Sequence, residues 1–102
     1  MTTRSVTVVN QLGMHARAAA RFVHLAGRYQ AHVRVGRQGR EMDGKSIMGL
    51  LLLAAARGST ITISADGDDE RDAVEALAGL VETGFGESDA PGAGPSAPDG
   101  PR

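Results

Sequence analysis

Cysteine is absent from the 102-residue chain, and histidine occurs three times at scattered positions. Without cysteine neither a disulfide framework nor a thiolate zinc site can form, and three separated imidazoles make a poor structural metal site, so the fold must stand on an apolar core. No cofactor and no metal are expected. A basic surplus is also lacking, since the formal net charge is −1 and the two signs read as interspersed. That argues against generic binding to nucleic acid or to an anionic membrane surface. Long hydrophobic runs are missing as well. The longest, 48–56, is too short to span a bilayer, and Met1-Thr2-Thr3-Arg4-Ser5 leads straight into a strand-like pattern with no signal-peptide core, so a cytoplasmic protein without membrane insertion is expected.

What is present fits one domain, because this length with 41% hydrophobic residues supports a single core. The segment 87–102 is rich in Gly, Pro, Ala, Ser and Asp and holds no large apolar side chain, so a disordered tail is expected there, after a folded domain over 1–86. Its removal is expected to leave both stability and function unchanged.

Hydrophobic periodicity orders the rest. Ser5-Val6-Thr7-Val8-Val9 alternates as a half-buried strand, and Asn10-Gln11-Leu12-Gly13 breaks it. Over 16–28 the period lengthens: Ala19, Phe22, Val23 and Ala26 share one helical face, with Arg17, Arg21, His24 and Arg28 off it. Ala31-His32-Val33-Arg34-Val35 and Arg40-Glu41-Met42-Asp43 form a hairpin around Gly36-Arg37-Gln38-Gly39. Ser46 can cap a short helix to about Leu53, with Gly58 as its left-handed stop and 54–57 as a fraying end. Thr60-Ile61-Thr62-Ile63-Ser64-Ala65 is the clearest strand, and a last helix follows Asp68-Asp69-Glu70 with Val74, Leu77, Ala78 and Val81 inward. The order β-α-β-β-α-β-α predicts an α+β, two-layer open-faced sandwich, a four-stranded antiparallel sheet with three helices on one face. Thr7, Arg34, Thr60 and Thr62 would line the wet face.

The chemically informative stretch is Gly13-Met14-His15-Ala16-Arg17-Ala18. His15 stands where a helix starts, a position that Ser, Thr, Asp or Asn would stabilise better. Free N–H groups and the positive end of the helix dipole make that place a seat for a phosphoryl group and a poor one for an imidazolium. A phosphorylated His15 could rest its oxygens on the Ala16 and Arg17 N–H groups, with the Arg17 guanidinium adding a charge-assisted pair. The residues alone leave a second reading open, an ordinary loop histidine beside a solvated arginine.

At this point the chain resembles the HPr phosphocarriers of the phosphoenolpyruvate-dependent phosphotransferase system. Gly13-Met14-His15-Ala16-Arg17 is similar to that family's active-site motif, and Asp43-Gly44-Lys45-Ser46-Ile47-Met48-Gly49 to its regulatory-serine region, at the family's own separation. The resemblance covers 4–86 and implies an HPr-like fold. It also implies that His15 carries the phosphoryl group on Nδ1 and that Arg17 stabilises it. Enzyme I would be the donor, IIA-type domains the acceptors, and the domain a carrier in sugar uptake or nitrogen-branch regulation, with no stand-alone enzymatic turnover. Ala18 departs from the proline usual in sugar-branch carriers and is closer to the nitrogen-branch relatives called NPr.

Ser46 reads first as a helix cap. The resemblance adds regulatory phosphorylation by a serine kinase/phosphorylase, and an alternative reading makes the domain a binding module that works through Ser46. Around it, Leu50 and Leu53 can face the sheet, leaving Ile47, Met48 and Leu51 toward solvent. By resemblance these residues, with Ala20, Arg21 and Gly49, form the docking surface, and a monomer is expected. His24 and His32 match no motif and read as solvated surface residues.

Overall fold

The computed structural model describes residues 1–86, and the expected tail over 87–102 lies outside them. Its elements are β1 (Thr2–Thr7), α1 (Ala16–Ala26), β2 (His32–Arg37), β3 (Arg40–Asp43), α2 (Ile47–Leu52), β4 (Thr60–Asp66) and α3 (Glu70–Glu82), followed by a short 3₁₀ turn, Gly84–Gly86. The sheet order is β1-β4-β2-β3 and every neighbouring pair is antiparallel. Strands joined by a helix therefore lie one strand apart, in two interleaved split β-α-β units.

Alternation fixes the faces. Val6, Val33, Val35, Ile61 and Ile63 are buried beneath the helices, whereas Ser5 and Thr62 exchange a hydroxyl hydrogen bond of 3.3 Å on the open face. The α1 stripe is Ala18, Ala19, Phe22 and Ala26, with Val23 packed at its margin. The small residues let α1 pack closely, and it touches both α2 and α3. The α3 stripe Val74, Leu77, Ala78 and Val81 is buried as its period predicts. Phe85, which no periodic pattern had marked, is 1% exposed and plugs the end of the core with φ 58°. No helix among the described residues is long and apolar enough to cross a membrane.

Three expectations need correction. The hairpin turn is shorter than the Gly36–Gly39 run suggested: Arg37 pairs with Arg40, and Gln38 and Gly39 alone turn the chain with φ 52° and 81°. Helix α2 stops well before Gly58, because Ala54 takes φ 51° and ends it directly. The 54–57 segment is thus no fraying helix end; Ala55 is buried and its carbonyl accepts the Met14 N–H at 2.9 Å. The signs of charge are not interspersed either. Between Arg4 and Arg57 the acidic residues are Glu41 and Asp43 against a series of arginines, while from Asp66 onward acidic residues surround Arg71. The cationic half carries α1 and the hairpin, and the anionic half carries α3.

Candidate phosphoryl site at the head of α1

The β1–α1 loop holds His15 in a tight web. Asn10 is buried and its side-chain amide donates to the Gly13 carbonyl at 2.8 Å, which also accepts the His15 N–H at 2.9 Å. Gly13 has φ 67°, and a Cβ there would lie 2.5 Å from the Ala55 carbonyl oxygen and 2.9 Å from Ala56 Cα. Only glycine fits both the backbone conformation and the space. The Met14 N–H is tied to Ala55 and its side chain is buried, so the residues before His15 are clamped between β1 and the loop after α2. A site carried on so constrained a loop is held in one geometry.

His15 itself is the N-cap of α1, with extended backbone (φ −81°, ψ 178°). Its Nδ1 accepts the Arg17 N–H at 3.2 Å, in the role a serine or aspartate oxygen plays at other helix starts. As the acceptor in that bond, Nδ1 turns its lone pair toward the head of the helix. The ring is half-exposed, and Arg17 is exposed at the first turn with no ion pair among the described residues. Arg21, one turn further on, donates from its guanidinium to the Phe85 carbonyl. Both arginines lie on the same side of α1 by their spacing of four. His24 and His32 are exposed and lie apart from this loop in sequence and element.

The first four positions of the second motif, Asp43 to Ser46, each meet a structural demand. The Asp43 carboxylate accepts the Lys45 N–H at 2.9 Å, and the Gly44 N–H donates to the Val33 carbonyl at 2.8 Å. A Cβ on Gly44 would lie 2.5 Å from Val33 Cγ1. The Lys45 ammonium donates to the Tyr29 carbonyl at 2.7 Å, just past the carboxyl end of α1, where a cation is favoured. Ser46 caps α2, its Oγ accepting the Gly49 N–H at 3.1 Å.

Of the docking residues, Ala20, Arg21, Ile47 and Met48 are exposed, Met48 by 66%. Two assignments change. Gly49 is buried against Met42 and the Asp43 carbonyl, where a Cβ would find 3.3 and 3.5 Å, so its smallness serves the β3–α2 approach. Leu51 is half-buried and packs on the core, because it sits next to the fully buried Leu50. Leu52 instead is 51% exposed, and Leu12 is 70% exposed three residues before His15. A helical wheel drawn from Ile47 would have placed Leu52 outward; no sequence signal marked the clamp of Asn10 on Gly13.

A site of this geometry has relatives. The family described as PTS HPr component phosphorylation site matches residues 2–83. The chain belongs to the HPr family of phosphocarriers of the phosphotransferase system. Over 89 residues it is 47% identical to the phosphocarrier protein HPr of Cupriavidus necator, covering 87% of this chain and 100% of that one. With the HPr of Pseudomonas aeruginosa the identity is 44% over 90 residues, again 87% and 100% of the two chains. Among solved structures, HPr-C-His from Thermoanaerobacter tengcongensis superposes with a TM-score of 0.82 at 38% identity, over 85% of this chain and 98% of that one. The expected HPr-like sandwich is therefore the fold. An HPr dimer from the same organism matches at TM-score 0.68 and 38% identity, over 85% and 100%, so the family includes dimers and the expected monomer does not follow from membership.

Proposed function

We propose that this HPr family member carries the phosphoryl group on His15, receiving it from phosphorylated enzyme I and passing it to a IIA-type acceptor. The observation that carries the reading is the His15 Nδ1 at the head of α1, accepting the Arg17 N–H at 3.2 Å. In the transfer, the Nδ1 lone pair attacks the phosphorus of the donor's phosphohistidine. The donor's N–P bond breaks, its electrons return to the donor imidazole, and a new N–P bond forms on His15. The Arg17 N–H, released from the ring nitrogen, turns to a phosphoryl oxygen and is joined by the Arg17 guanidinium, two donors that gain strength as negative charge arrives. Onward transfer is the same exchange with the acceptor as attacking group, and the domain alone completes no net reaction.

Donor and acceptor would dock on Met48, Ile47, Leu52, Leu12 and Ala20, with Arg17 and Arg21 at the rim steering an acidic partner. Ser46, at the edge of that face, is the candidate for regulatory phosphorylation. A second reading has a specific support: the chain is 42% identical to the HPr-like protein Crh of Halalkalibacterium halodurans over 80% of its length and 98% of that protein's. In that reading the domain regulates by docking through Ser46. Incubation with enzyme I and phosphoenolpyruvate, followed by a panel of IIA domains, separates the two. The carrier reading expects one acid-labile, alkali-stable phosphoryl group, absent from a folded His15→Ala variant and lost to one IIA domain. Undiminished labelling of His15→Ala contradicts it.

A further inference from the structure

Among the described residues Asn10 is the one buried polar residue, 1% exposed just past the end of β1. Taking an amide out of water costs stability unless it is hydrogen-bonded, so packing alone gives no reason for asparagine there. Both ends of Asn10 grip one residue. Its main-chain carbonyl accepts the Gly13 N–H at 3.1 Å, and its side-chain amide donates to the Gly13 carbonyl at 2.8 Å. That same carbonyl accepts the His15 N–H at 2.9 Å, so Asn10 and His15 meet on one oxygen atom. The support behind Asn10 is firm. The Val8 N–H donates to the Ser59 carbonyl and the Val8 carbonyl accepts from Gly58, both at 2.8 Å, while a Cβ on Gly84 would lie 3.5 Å from Asn10 Cβ. Turning the Gly13 carbonyl would turn the backbone that leads into His15, and the φ of −81° there is what brings Nδ1 to the Arg17 N–H at 3.2 Å. An in-line transfer between two nitrogens needs that aim held within about 0.5 Å and 10–20°. Asn10 itself is buried and out of a partner's reach.

We propose that Asn10 is a positioning residue for phosphoryl transfer: through the Gly13 carbonyl it fixes the aim of His15 Nδ1, and so it governs the rate of the transfer step and not the affinity for the partner. The inference rests on His15 being the phosphoryl acceptor. Without the Asn10 amide, the Gly13 carbonyl keeps only the His15 N–H, and the two can swing together. The ring then spends less of its time with Nδ1 at the head of α1, and each encounter with the donor finds the nitrogen in line less often.

The test compares the full chain with Asn10→Leu, which keeps a branched side chain without the donor, and Asn10→Asp, which keeps the shape and replaces the donor by an acceptor. Initial rates of labelling by enzyme I and phosphoenolpyruvate are measured against carrier concentration, each protein well below its own melting temperature, and amide NMR spectra are recorded on the unphosphorylated forms. Both variants are expected to lower kcat by about tenfold or more, Asn10→Asp the further of the two, with KM within about threefold of the parent. The Arg17 amide resonance should move in both, as Nδ1 leaves it. A residue that only fills space would leave kcat and the Arg17 amide of any folded variant near the parent, and that result overturns the proposal. So does a raised KM at unchanged kcat, which would make Asn10 a support of the docking face through Leu12. If either variant fails to fold, the other decides. A parent that is itself not labelled means that the carrier reading has failed and the proposal with it, whereas a labelled parent with variants equal to it overturns the proposal alone.

Discussion

His15 and Gly13 divide the work of the site between chemistry and placement. In the proposed transfer His15 supplies the nucleophilic nitrogen, and Gly13 lets the chain pass 2.5 Å, in terms of a hypothetical Cβ, from the Ala55 carbonyl. Gly13→Ala combines a left-handed backbone with a clash against main-chain atoms that cannot swing away, so it should cost about 2 kcal/mol or more of stability in chemical denaturation. A loss under about 0.5 kcal/mol would mean that the loop is softer than its hydrogen bonds imply. At this scale the sequence was informative where chemistry is unusual for its place, as with a histidine at a helix cap, and silent where a common residue acts through a distant partner. Ala55 belongs to the second kind: it secures Met14 by a contact between segments about forty residues apart, which no local pattern encodes, whereas Asn10 acts within its own loop on Gly13 three residues on.

Among the elements, α2 is short enough that one residue of rotation exchanges core and surface. Leu50 is fully buried and Met48 two residues earlier is 66% exposed. Met48→Asp should therefore change stability by less than about 0.5 kcal/mol yet raise the apparent KM for enzyme I by tens of fold, because a carboxylate at the centre of an apolar contact costs about 2 kcal/mol. Leu50→Asp should unfold the domain, since its charge would be buried without a partner. Circular dichroism melts and initial-rate kinetics on the pair check both; equal destabilisation would show that the faces are misassigned. Strand alternation and the α1 and α3 stripes were legible because each element is long enough for its period to repeat. For α2, six residues of nearly uniform hydrophobicity make one face hard to tell from the next, which is why Leu51, expected toward solvent, is half-buried, and the exposed Leu52 was given no face.

On the scale of the whole molecule, the sheet order β1-β4-β2-β3 emerges only when the chain is assembled, whereas the split of charge between its halves is written along the chain. Two carboxylates help join the halves. Asp69 leaves its own helix uncapped and accepts the Gln30 and Ala31 N–H groups, both at 2.8 Å, where α1 hands over to β2. The Gln30 bond holds its carboxyl below the usual carboxylate range, with burial opposing and the Ala31 bond helping. Glu70 accepts the Thr2 hydroxyl at 2.6 Å, which with the Met1 amino group and the Gly67 N–H lowers it from 4.5 to about 2. The folded state thus binds fewer protons than the unfolded one, so this stabilisation is complete above the ordinary carboxyl range and is lost as pH falls toward about 2. Glu70→Gln should lower Tm near neutral pH and flatten its fall between about pH 5 and 2; an unchanged slope would mean the Thr2 contact is not held in solution.

The proposed carrier role rests on one nitrogen atom, and phosphorus–nitrogen correlated NMR of the ¹⁵N-labelled protein, phosphorylated by enzyme I and phosphoenolpyruvate, observes it directly. The account predicts phosphorus coupled to Nδ1 of His15, together with a large shift of the Arg17 amide as its N–H leaves the ring for a phosphoryl oxygen. Phosphorus on Ser46, His24 or His32, or an Arg17 amide that stays where it was, would contradict it.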